Sequence, residues 1–67
     1  MPLTWRDIDG LARALVADHP ETDPLTLTLP EVRRCILRLP GFNDDPDAGS
    51  DQDLEEIQAM WYDVFQE

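Results

Sequence analysis

Leu25-Thr26-Leu27-Thr28-Leu29 alternates leucine with β-branched threonine in strict period two, and Pro30-Glu31 follows directly. Alternation of this kind puts the leucines on one face of an extended chain, so the spacing predicts a short strand over residues 25–29. Whether this segment is a strand decides whether the protein is purely helical or sets a β element beside its helices. The residues before it, Pro20-Glu21-Thr22-Asp23-Pro24, read as a turn-rich connector. After it, Pro30 suits the first position of a helix, where its missing N–H would have had no intrahelical acceptor, and Glu31 complements the positive end of the dipole. Val32, Cys35, Ile36 and Leu39 share one side of that helix, Arg33, Arg34 and Arg38 fall largely on the other, and Pro40-Gly41 stops it.

Two further helices flank this centre. Thr4 is placed as an N-cap, Leu3 and Ile8 occupy the two staple positions, and Ile8, Leu11, Ala12, Leu15 and Val16 recur at three- and four-residue spacing, which predicts a helix from Trp5 to near Asp18. Residues 42–50, Phe-Asn-Asp-Asp-Pro-Asp-Ala-Gly-Ser, are loop by composition. Ser50, with Asp53 three residues on, then starts a last helix whose apolar face is Leu54, Ile57, Met60 or Trp61, Val64 and Phe65. The expected fold class is mainly α with a small β element, as a single domain over residues 1–67.

The chain has 67 residues, five arginines and no lysine against fifteen acids, and a net charge of −10 with His19 neutral. A chain this short buries only about 60% of its unfolded surface, which leaves no room for a deep cleft with a full catalytic apparatus. The acid surplus argues against binding a phosphate backbone, which needs an excess of Lys and Arg. A hydrophobic fraction of 42% with two tryptophans separates the chain from a disordered acidic tail. One cysteine, no leader pattern and no long apolar run lead to the expectation of a soluble, cytoplasmic protein that is monomeric and not bound to membranes.

The charge is unevenly placed. Residues 1–43 carry five arginines and six acids, a net −1, whereas residues 44–67 carry nine acids and no basic residue, a net −9. Asp44, Asp45, Asp47, Asp51, Asp53, Glu55 and Glu56 fall within thirteen residues, where mutual repulsion disfavours the ionised compact state unless cations or a basic surface offset it. Two or three carboxylates would satisfy a helix dipole, and seven exceed that need. A calcium EF-hand starting at Asp45 fails, because the sixth loop position, which requires Gly, is Ser50, and Pro46 stands at the second. What remains is a hard, all-oxygen donor set suited to Mg, Ca, Mn or ferrous iron at modest affinity and not to a closed zinc site.

Catalytic constellations are missing. Cys35 lies on the apolar stripe of the second helix, where a thiol behaves as a small hydrophobe, and His19 reads as a turn residue. No Gly-rich phosphate loop is present, and paired carboxylates without a cleft do not make a glycosidase. Trp5 and Trp61 fall in register with apolar positions and are expected as core anchors. An acyl-carrier reading needs Asp-Ser-Leu at a helix start, whereas the chain has Gly49-Ser50-Asp51.

Several pieces in order resemble one family end to end. They are Trp5 and Asp7, Pro20 with Asp23-Pro24-Leu25-Thr26, Phe42-Asn43-Asp44-Asp45-Pro46, and Leu54-Glu55-Glu56-Ile57 followed by Trp61 and Asp63. Together they resemble the IscX family, small acidic proteins of bacterial iron–sulfur cluster assembly. The resemblance implies a compact three-helix, winged-helix-like fold with a small sheet and no catalytic activity or organic cofactor. It also implies weak ferrous iron binding by exposed acids, and docking onto the cysteine desulfurase IscS, where sulfur delivery is modulated in competition or cooperation with the bacterial frataxin homologue. It assigns Asp44, Asp45 and Glu55 to that surface, while Asp47, Asp51, Asp53 and Glu56 come from the charge clustering. Pro40-Gly41 and the three arginines of the middle helix depart from the family's acidic pattern.

A winged helix invites a DNA-reading role for the arginine-bearing helix, but the overall charge repels a duplex. The expected function is a non-catalytic iron-binding adaptor that docks through its acidic face on a cysteine desulfurase. The rival is an acidic mimic or inhibitor of a basic protein with no metal role.

Overall fold

Asp23 and Thr28 decide the segment that alternation predicts to be a strand. In the computed structural model, which describes residues 2–67, the Asp23 carboxylate accepts from the N–H of Leu25 at 3.0 Å, and the Asp23 carbonyl accepts from the hydroxyl of Thr26 at 2.7 Å. With Pro24 next in line these bonds wind Pro24–Thr26 into a single 3-10 turn. Thr28 then caps the next helix in a reciprocal box, its hydroxyl taking the N–H of Glu31 while the Glu31 carboxylate takes the N–H of Thr28. The carbonyls of Pro24 and Leu27 are used as well, by the side-chain amide of Gln58 at 2.7 and 3.0 Å. A strand would have left these groups waiting for a neighbouring strand, and none exists among the described residues. Leu25 accordingly stands 57% exposed instead of joining a buried face.

Three helices result: α1 (Ile8–Asp18), α2 (Leu29–Leu37) and α3 (Asp51–Phe65). Pro30 sits in the first turn of α2, one place after the first helical residue. Among the described residues neither the predicted strand nor the small sheet of a winged-helix-like fold is formed. The β character reduces to one isolated parallel bridge between Leu3 and Phe42, in which Leu3 donates to the Gly41 carbonyl at 2.8 Å and Asn43 donates to the Leu3 carbonyl at 2.9 Å. Gly41, with φ of 91°, supplies the left-handed bend that brings this segment alongside. The bridge ends at once because the chain turns, the N–H of Asp7 donating to the Thr4 carbonyl at 3.0 Å.

That turn also displaces the start of α1. Helix begins at Ile8 rather than Trp5, with Asp7 rather than Thr4 as N-cap, its carboxylate accepting from the N–H of Gly10 at 3.2 Å. The last helix forms as its sequence predicts, with Ser50 as N-cap and Asp53 closing the capping box at 3.1 and 3.2 Å.

The buried residues form one cluster of Trp5, Leu11, Ala12, Leu15, Val32, Ile36, Leu39, Leu54, Ile57 and Trp61. Each helix contributes its expected stripe, and α1 packs chiefly against α3. Ile8, Val16, Cys35, Met60, Val64 and Phe65, on the margins of those stripes, are half-buried.

Thr28→Val keeps the shape of the α2 cap and removes its hydroxyl. It is expected to cost about 1 kcal/mol, which in a domain of this size lowers Tm by roughly 4–8 °C. Thermal melting checks this. The Thr28 bonds hold the Glu31 carboxyl below its ordinary value of 4.5, so the Glu31 half of the cap is intact above the carboxylate range and is lost as pH falls through the lowered value. The penalty of Thr28→Val should therefore shrink in acid; a penalty constant with pH would contradict the reciprocal box.

Candidate functional site

The acid-rich stretch is a loop, residues 43–50, running into the first turns of α3. Its backbone lacks regular structure; one internal turn, with the Ala48 N–H donating to the Asp45 carbonyl at 3.1 Å, satisfies part of it, and other polar groups take partners from outside. Two residues remote in sequence supply them. The Trp5 indole N–H donates to the Asp45 carbonyl at 2.7 Å, and Arg33 of α2 donates through Nη1 to the Pro46 carbonyl at 2.7 Å and through Nη2 to the Gly49 carbonyl. The guanidinium also lies over the Trp5 ring, 5.6 Å from its centroid, and Phe42 meets the same ring edge-on at 5.1 Å. Gly49 is buried against the indole so closely that a β-carbon there would come within 2.8 Å of it.

The seven carboxylates divide into two groups. Asp44 accepts from the backbone N–H of Trp5 at 3.1 Å and of Asp45 at 2.7 Å, Asp45 accepts from the N–H of Asp47 at 2.9 Å, and Asp53 serves the α3 cap. These three hold the loop and helix start together. The carboxylates of Asp47, Asp51, Glu55 and Glu56 are exposed, and no hydrogen bond or ion pair among the described residues engages them. Asp51 and Glu55 stand one turn apart on α3, close enough to repel each other by a few tenths of a kcal/mol.

A resident metal needs several donors aimed at one point. Among the described residues no three His, Cys, Asp or Glu side chains converge to hold a metal ion. Asp44, Asp45 and Asp53 already spend lone pairs on backbone N–H groups, and the free four point into solvent along a loop and two helical turns. The arrangement does not fit a preformed, closed metal centre. It does fit a dense, solvated anionic surface whose charge is fixed in shape at one end by Trp5 and Arg33.

Comparison with known proteins agrees with the residue pattern. Residues 3–66 match the iron-sulphur cluster assembly family. The chain belongs to this family, the IscX family that its motifs resemble. An uncharacterized protein of Pseudomonas aeruginosa is 39% identical over 61 residues, covering 91% of this chain and 92% of the relative. No solved structure matches. The IscX family is an accessory family of iron–sulfur assembly and not a known catalytic one, and membership points to partners within the assembly machinery.

The remaining chemistry-bearing residues of this IscX-family chain lie away from the acidic face. Cys35 is half-buried, and burial, reinforced by Glu31, pushes its thiol pKa up, which disfavours the nucleophilic thiolate. His19 ends α1 with its backbone N–H on the Leu15 carbonyl, and its ring lies 6.2 Å from that of Trp61. Among the described residues no helix is long and apolar enough to cross a membrane. Trp5 is buried as expected, but from a turn rather than a helix face. Sequence reasoning grouped Arg33 with Arg34 and Arg38 as one basic side and missed its contact with the loop. The available signal was spacing: Arg33 follows Leu29 by four residues and precedes Ile36 by three, which places it at the edge of the buried stripe.

Proposed function

We propose that this protein is a non-catalytic adaptor of iron–sulfur cluster assembly that docks through its acidic loop and α3 onto a basic surface of an IscS-type cysteine desulfurase in the cytoplasm. The observation that carries the reading is the concentration of −9 of the charge in residues 44–67, in a chain that belongs to an assembly family. Charge complementarity of this kind steers encounter, raising association rates from about 10⁵–10⁶ toward about 10⁸ M⁻¹s⁻¹ at low salt. Ferrous iron is read as cargo: Asp47, Asp51, Glu55 and Glu56 are free oxygen donors that would take it weakly, in pairs and with water completing its shell.

Titrating the protein into purified desulfurase at low salt and at several-fold higher salt tests the docking. Fast, salt-sensitive binding is expected, and absence of binding, or binding indifferent to salt, overturns it. The second reading, an acidic mimic without a metal role, is favoured by the lack of convergent ligands among the described residues. Calorimetric titration with ferrous iron against magnesium separates them: a ferrous preference supports cargo binding, and equal weak responses support the mimic.

A further inference from the structure

Arg33 presents a conflict of sign. A protein that works by negative charge would be expected to improve when a positive charge is removed, yet this arginine is turned toward the acidic loop and bonds it at two carbonyls. Its two guanidinium arms reach the carbonyls of Pro46 and Gly49, its guanidinium carbon lies over the Trp5 ring, and Trp5 in turn donates from its indole to Asp45 and from its backbone to the Asp44 carboxylate. The loop carbonyls of Pro46 and Gly49 are thus taken by Arg33, and that of Asp45, which also accepts from the Ala48 N–H, by the Trp5 indole. Between these anchor points stands Asp47, close after Asp44 and Asp45, and repulsion among the three would spread an untethered loop. Gly49 shows the same constraint from the other side, since only a residue without a β-carbon can lie so close to the indole.

We propose that Arg33 and Trp5 are positioning residues of the docking face, clamping the 44–49 loop so that its carboxylates are presented in one fixed arrangement. This rests on the docking reading above. Rigid presentation strengthens binding because the loop's ordering is completed before the partner arrives, and a guanidinium suits the task because its planar fork spans two acceptors while stacking on a ring, which an ammonium cannot do.

The sign conflict supplies the test. Arg33→Gln and Arg34→Gln each remove one positive charge, taking the net from −10 to −11, but Arg34 is exposed on α2 and is not among the residues that touch the loop. Steering by charge alone makes both variants bind a purified IscS-type desulfurase slightly better. The clamp makes Arg33→Gln weaker by about five- to tenfold, leaves Arg34→Gln unchanged or slightly tighter, and puts Arg33→Lys between wild type and Arg33→Gln. Hydrogen exchange of the Trp5 indole and of the amides of Asp45 and residues 47–49, read by NMR without any partner, should quicken in Arg33→Gln and not in Arg34→Gln. Unchanged exchange in Arg33→Gln overturns the clamp. Faster exchange with equal or tighter binding overturns its positioning role and leaves docking standing. Wild-type protein that fails to bind removes the docking reading, and the positioning role with it, while the exchange result still reports on the clamp. Arg33→Lys guards against a variant that does not fold.

Discussion

Trp61→Ala is expected to be unfolded in water at 25 °C. The indole is fully buried among Leu54, Ile57 and the residues of α1 and α2 in the one core cluster. A ring of this kind removes about 200 Å² from water, which at about 25 cal/mol per Å² is about 5 kcal/mol. Truncation to alanine costs about 3–5 kcal/mol, and the core of a domain this small supplies only about 3–5 kcal/mol of net stability. The loss therefore consumes the whole margin. Trp61→Phe should behave differently, because it keeps an aromatic ring and discards an indole N–H that has no acceptor among the described residues; its expected cost is below about 2 kcal/mol. Far-UV circular dichroism with thermal melting decides both cases. A cooperative melt in the alanine variant would show that the stability of this fold does not depend on that ring.

The same reasoning shows which parts of the structure were open to reading from sequence. The last helix was legible because two independent signals coincide there: Ser50 and Asp53 form a capping box, and Leu54, Ile57 and Trp61 repeat at helical spacing. The segment at 25–29 offered two signals that disagree. Three leucines in period two favour a strand, but five residues are too few for periodicity to outweigh local hydrogen bonding. Thr28 and Glu31 form the same kind of box as Ser50 and Asp53, and it settles the conformation. For α1, Thr4 and Asp7 are both competent caps, and the pairing of Leu3 with Phe42, 39 residues away in sequence, holds the first residues out of the helix. The location of the acidic face could be taken from composition. Which acids are free could not, because that depends on where the N–H groups of Trp5, Asp45, Asp47 and Ser50 lie in space. Arg33 was hidden for the same reason, its partners being 13 and 16 residues away in a loop without a regular period.

That division of the acids leads to the largest expected effect on function. The triple variant Asp51→Asn, Glu55→Gln, Glu56→Gln removes three exposed charges that no hydrogen bond among the described residues engages, and takes the net charge from −10 to −7. Association with the desulfurase at low salt is expected to slow by about tenfold or more, since rim charges act mainly through the on-rate, and the salt dependence should flatten with it. Folding stability should fall only slightly, by a few tenths of a kcal/mol. Asp51 loses a favourable interaction with the α3 dipole worth about 0.3–1 kcal/mol, and relief of the repulsion between Asp51 and Glu55 offsets part of it. Asp44→Ala and Asp53→Ala remove only one charge each but break backbone contacts at Trp5 and at the α3 cap. Their expected signature is the reverse, a stability loss of about 1 kcal/mol or more per site with a smaller change in salt dependence. Stopped-flow association at two ionic strengths, paired with thermal melts of the same preparations, separates the two groups. If the triple variant associates as fast as wild type, the surface that meets the partner is not the acidic one; if Asp44→Ala and Asp53→Ala melt unchanged, those two carboxylates do not hold the structure, and the loop owes its shape to its own turn and to Trp5 and Arg33.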